Sequence, residues 1–165
     1  MSNAPVSRRG FLGHFALASA AASLLQAPEF LRGGRWFTVA EAAGLDVTRD
    51  TLNGLLAFVV PGTDAYSQAQ GVSTPDAGGV DAGATDTLIA TIDGSTPFVP
   101  NFSAVVAAIL NDLAQAVHPG VTGAFGSPFA NLSYPEKAAV FQIMDATDAL
   151  KVLGGILPAF VAFFV

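Results

Sequence analysis

Phe102, Val105, Val106, Ile109, Leu113, Ala116 and Val117 recur at the three-and-four spacing of an α-helix over four turns, and this stripe constrains the fold more than any other feature. A helix that is apolar along one side has to bury that side against another element. Asn101 stands at the cap position before the stripe, and Pro119 with Gly120 follows it as a stop. No segment alternates apolar and polar residues at the period of two that a half-buried strand needs, so the covering elements are expected to be helices as well. The expected fold class is therefore all-α: a compact helical domain with long loops rich in Gly, Pro and Asp.

Three further segments read as helices. Leu52, Leu55, Leu56 and Val59 share a face that ends at Pro61 and Gly62, with Thr48 or Asp50 available as its cap. Leu88, Ile89 and Ile92 mark a short helix over 85–92. The most explicit start signal is Ser133 with Glu136, a capping box, with Pro135 at an early position that needs no amide proton. The apolar side of that helix is Val140, Phe141 and Met144, its wet flank carries Asp145 and Asp148, and Lys151 is expected late in the same helix, where a cation suits the dipole. From Val152 to Val165 there is no charge, and Pro158 interrupts the run. The run is too short for a membrane span of about 20 residues and is expected to be a core helix. Its end at Phe160, Phe163, Phe164 and Val165 is a candidate partner interface, or else the natural chain continues beyond it, leaving the domain truncated at that end.

The N-terminus reads as an address. Ser7, Arg8, Arg9, Phe11 and Leu12 match the twin-arginine export pattern SRRxFLK, with Gly13 where a lysine is common. Residues 15–25 are rich in Ala and Ser, a milder and shorter stretch than a spanning helix. Residues 1–32 are thus expected to be a twin-arginine signal peptide and 33–165 a single helical domain; the competing reading is a short amphipathic helix with two solvated arginines. Small-x-small triplets at 18–20 and 20–22 fall early for cleavage, so the leader is either retained as an anchor or cut at a site that the residues do not mark. The expected location is the extracytoplasmic side of a bacterial membrane, reached through the twin-arginine translocase.

Composition narrows the functional classes. Of 165 residues, 52% are hydrophobic and only 12% charged, against about a quarter charged in an ordinary soluble domain, which suggests surface covered by something else. Beyond Arg32 four basic residues (Arg35, Arg49, Lys137, Lys151) face twelve acidic ones, and no lysine or arginine lies between Asp50 and Glu136. Such a chain cannot neutralise phosphates, so nucleic acid is not an expected partner. The absence of cysteine rules out disulfides, thiolate-held iron–sulfur clusters and c-type haem, and suits folding in a reducing cytoplasm before export.

Catalytic groups are sparse. His14 falls in the leader, and His118 sits at a helix end, where it reads as a cap for terminal carbonyls. Gly126, Ser127 and Pro128 make no nucleophile elbow, and neither a dinucleotide fingerprint nor a phosphate-loop lysine occurs. Asp76, Asp81 and Asp86 lie among glycines without the register of a calcium loop, so they read as turn residues and no metal is expected. The 13 phenylalanines point to core or interface, and Trp36 and Phe37 to core or an exposed anchor.

The order of parts is similar to one family. A twin-arginine leader, a helix running into Val59, Val60, Pro61, Gly62, Thr63 and Asp64, a glycine-rich stretch before an apolar helix, and a helix opened by Leu132, Ser133, Tyr134, Pro135 and Glu136 together resemble the gluconate 2-dehydrogenase subunit 3 family over residues 7–150. The long stretch 66–86 and the apolar end depart from its pattern. The resemblance implies a non-catalytic small subunit that binds no cofactor itself, stabilises a flavoprotein large subunit containing FAD, and carries it through export, with membrane association through a retained leader or the partner. The alternative is a stand-alone exported helical envelope protein that binds an apolar ligand or self-associates; an independent enzyme is the third reading.

Overall fold

The computed structural model describes residues 45–96 and 99–164; the leader residues Ser7, Arg8, Arg9, Phe11 and Leu12, with His14, Trp36 and Phe37, lie outside them. Six helices are described: α1 (Leu45–Val59), α2 (Ala65–Ala69), α3 (Thr85–Ser95), α4 (Phe102–Val117), α5 (Tyr134–Ala146) and α6 (Asp148–Phe164). No strand occurs among the described residues, so the fold is all-α as the periodicity requires.

The stripe at 102–117 forms α4 between the expected bounds, and Phe102, Val105, Val106 and Ile109 are buried while Leu113 and Val117 pack against the same core; Ala116, expected on the stripe, is exposed. α4 packs on α1, α3 and α5, and α1 in turn touches α2, α3, α4 and α6. The shared core joins Leu52, Leu55 and Leu56 of α1 to Leu88 and Ile92 of α3, Val140 and Met144 of α5, and Leu153, Leu157 and Phe160 of α6. Burial of such side chains is worth about 1.5–3 kcal/mol each, and it is this packing that holds helices of such modest length.

Several local expectations are corrected. α1 extends N-terminal to Thr48 and Asp50, which therefore cap nothing: Thr48 is buried and the Asp50 carboxylate serves long-range contacts. Asn101 makes no side-chain cap; its backbone takes the left-handed conformation (φ 53°), which Asn tolerates better than most residues. The start of α4 is capped from another helix instead, since Asp93 Oδ1 of α3 accepts the Ser103 N–H at 2.8 Å. α3 runs one turn further than the apolar spacing indicates, to Ser95.

The capping box at Ser133 is present. Glu136 Oε2 accepts the Ser133 N–H at 2.8 Å and its hydroxyl at 2.6 Å. The helix it opens stops at Thr147, whose backbone turns extended, so Lys151 falls near the start of α6 rather than late in α5. α6 then packs closely on α5: a Cβ at Gly154 would stand 2.8 Å from the Met144 Cβ. Among the described residues no helix is long and apolar enough to cross a membrane.

Candidate functional site

The Pro61–Asp64 turn and the glycine-rich stretch that follows it meet at one place. Asp64 Oδ1 accepts the N–H groups of Tyr66 (2.9 Å) and Ser67 (3.0 Å), which caps α2. The Ser67 hydroxyl donates to Asp64 Oδ2 at 2.7 Å and accepts the Gly62 N–H at 2.9 Å, so the Pro61–Asp64 turn is tied to the helix that follows it. Across from it, Asp81 Oδ2 accepts the N–H groups of Thr63 (2.8 Å) and Gly78 (3.0 Å). Those backbone donors hold the Asp81 carboxyl below its usual range. Gly62 and Gly78 are both required for the approach: a Cβ on Gly62 would stand 2.2 Å from Gly78 N and from Asp81 Oδ2.

Beneath this turn lies Lys137, whose side chain is 0% exposed. Its Nζ donates to the Gly54 carbonyl of α1 at 3.2 Å and to Gln70 Oε1 at 2.9 Å, and stands 5.6 Å from the centroid of the buried Phe129 ring. Gln70 is held in turn, its Nε2 donating to the Ala57 carbonyl at 2.7 Å and its carbonyl accepting the Tyr134 N–H at 2.9 Å. One amine thus joins α1, the end of α2 and the start of α5. Burial pushes it down to about 7, with Asp64 as the opposing charge. Gly54 must lack a side chain here, because a Cβ would lie 2.9 Å from the Ala130 backbone.

A second polar network fastens the loop before α5. Asn111 Nδ2 donates to Thr51 Oγ1 (2.9 Å), and Asn111 Oδ1 accepts from the Ser127 hydroxyl (2.7 Å) and the Phe129 N–H (3.0 Å). Ser127 is fully buried there as a structural link. Nearby, Asp50 accepts the Tyr66 hydroxyl (2.6 Å) and the Gly126 N–H (2.7 Å), and Tyr66 stacks on Phe125 with centroids 3.9 Å apart. Burial, then the hydrogen bond to Asp50, raises the Tyr66 phenol to about 12.

The two remaining groups singled out from the sequence have specific places. His118 turns to Glu136, with Nδ1 2.8 Å from Oε1, instead of covering the carbonyls at the end of α4; a carboxylate is the stronger partner. Asp86 pairs with Arg49 at the surface, Asp81 fastens the turn, and Asp76 is exposed. Among the described residues, no group of three or more His, Asp or Glu side chains could hold a metal ion.

The expected partner interface divides. Phe160 is buried in the core, because it falls on the same side of α6 as Leu153 and Leu157. Phe163 is 65% exposed; Phe164 closes α6, and Val165 lies outside the described residues. Other large apolar side chains at the surface are Val152 of α6 and Tyr134 and Ile143 of α5. Tyr134 is the outer ring of a ladder: Phe58 lies 4.9 Å from it and stacks on Phe141 at 5.3 Å, and Phe141 meets the buried Phe129 edge-on.

Lys137 is the residue that the sequence reading passed over. Its signal was present, since Lys137, Val140, Phe141 and Met144 follow the i, i+3, i+4, i+7 spacing of one buried stripe. Comparison of the chain with protein-family models, with characterised proteins and with solved structures finds no match.

Proposed function

We propose that this chain is the small, export-bearing subunit of a flavin-dependent dehydrogenase: it binds and stabilises the flavoprotein large subunit and carries it through the twin-arginine translocase. On this reading FAD belongs to the partner, the chain itself performs no chemistry, and the complex works on the extracytoplasmic side, held at the membrane by a retained leader or by the partner. The observation that carries the reading is the pairing of the Ser7, Arg8, Arg9, Phe11, Leu12 leader with a helical domain that exposes Tyr134, Ile143, Val152 and Phe163. Exposed apolar side chains on the two packed helices α5 and α6 can supply the apolar centre that a partner interface needs.

Phe163 is exposed for contact, and among the described residues α5 and α6 present the large exposed apolar side chains. The polar groups beneath the Pro61–Asp64 turn serve to hold the domain in one shape, which suits a protein exported folded. Isolation of the tagged chain from the cell envelope is expected to bring down a yellow, flavin-containing protein. Recovery of a colourless monomer at native expression overturns this reading, and recovery of a colourless homo-oligomer replaces it with the self-associating envelope protein.

A further inference from the structure

Lys137 is fully buried, and among the described residues no carboxylate lies within ion-pair reach of its Nζ: its acceptors, Gly54 O and Gln70 Oε1, are uncharged, and the face of Phe129 at 5.6 Å offers a cation only a weak substitute for the water it has lost. The charges on the packed elements are few. α1 carries no charged residue between Thr51 and Val59, and its Asp50 is engaged by Tyr66 and Gly126. Asp64 attracts the amine, but its carboxylate is committed to the N–H groups that open α2. On α5 itself Glu136 is turned to Ser133 and His118. α4 brings Asp112, half-buried and itself partnered, and α6 brings Asp148 and Lys151, both exposed.

The cover over this amine is one segment thick. Gln70 is buried against Nζ, yet Thr63, Ala65, Gln68 and Ala69 of the same segment face solvent. The segment's helix, α2, packs on α1, whereas α4 packs on α1, α3 and α5.

We propose that Lys137 is a proton-operated latch: as the neutral amine it clamps the 62–72 segment onto α1, and proton uptake at Nζ releases that segment while the core around α4 stays folded. The direction follows from solvation. In the open form the hydrated amine charges as a free lysine does; in the closed form burial disfavours the charge, which agrees with its lowered value of about 7. Opening therefore takes up a proton, and the open population rises about tenfold for each unit by which the pH falls toward 7, then levels off.

Millisecond amide hydrogen exchange on the full chain tests this at about pH 7.5 and about pH 9. The amides of Gln70, Val72 and Tyr134, bonded to the carbonyls of Tyr66, Ser67 and Gln70, report on the cover, and those of Ile109 and Leu110 report on the core. The cover should be less protected than the core at both values, and its protection, corrected for the intrinsic exchange rate, should fall about tenfold per pH unit between the higher and the lower value. In Lys137→Met the corrected protection of the cover should not move with pH. Because that variant also strands Gln70 Oε1, the unaltered chain supplies a second reading: the NMR shift of Lys137 Cε should titrate near neutrality. Gln70→Glu, which sets a carboxylate against Nζ, should keep the amine charged and the cover closed at both values. A cover that opens only together with the core, a corrected protection of the cover that ignores pH in the unaltered chain, a Cε that stays charged at about pH 9, or a Gln70→Glu chain that still opens as the pH falls overturns the latch.

Discussion

Replacing Lys137 by Met gives the sharpest test of how the three segments are joined. The amine sits at about 7 in the folded chain against 10.5 for an exposed lysine, and each unit is worth 1.36 kcal/mol, so keeping it uncharged costs the fold about 5 kcal/mol at neutral pH. The sign is unusual. Between those two values the unfolded chain holds a proton that the folded chain has released, so the Lys137 contribution to stability rises as the pH increases from about 7 toward 10.5 and is lowest, and flat, below that window. Tyr66 acts oppositely and later: its phenol is raised to about 12, so its contribution is complete below 10 and fades above it. That term is common to both proteins and cancels in their difference. Met fills the volume of the stem without the charge but leaves Gln70 Oε1 unpaired, which costs about 1–3 kcal/mol, so the variant should be the more stable protein at about pH 7. Urea unfolding at about pH 7 and about pH 10 should then show the original chain gaining on the variant by about 4 kcal/mol across that interval. Parallel pH profiles for the two proteins refute the buried neutral amine.

Two further substitutions test the packing around it. Gly62→Ala places a methyl 2.2 Å from the Gly78 nitrogen and from Asp81 Oδ2, so it should cost about 2–3 kcal/mol in urea unfolding; a loss below about 0.5 kcal/mol means the turn and the glycine-rich loop do not meet as described. Ile109→Asp buries an unpaired carboxylate at a position 1% exposed and should cost several kcal/mol, about 3 or more; unchanged helicity and melting temperature would remove the stripe from the core.

What could be read from the sequence was whatever depends on neighbours within a few turns. The α4 stripe, the end of α1 at Pro61 and the Ser133–Glu136 box are set by local spacing and local hydrogen bonds, and each is found where those rules place it. The rest depends on distant partners. Thr48 and Asp50 look like caps but lie within α1, because Asp50 receives a hydroxyl from Tyr66 and an N–H from Gly126. Asn101 looks like a cap, yet the cap is Asp93 on another helix. The break at Thr147 divides what reads as one helical segment, since close packing of Gly154 on Met144 brings α6 against α5. Lys137 was hidden by its own chemistry: a lysine near a helix start is ordinarily solvated, and only its register with Val140 and Met144 sets it inside. Phe160 and Phe163, three residues apart in one apolar run, differ in kind because one falls on the buried side of α6 and the other does not.

The central claim, that the leader of this chain exports a partner as well as itself, is tested most directly by replacing Arg8 and Arg9 with lysine and measuring flavin-dependent dehydrogenase activity in envelope and cytoplasmic fractions. The expected result is that this chain and the flavoprotein both remain in the cytoplasm, with the envelope activity lost. Continued export of both contradicts the twin-arginine assignment, and retention of this chain alone, with the flavoprotein still outside, contradicts the carrier role.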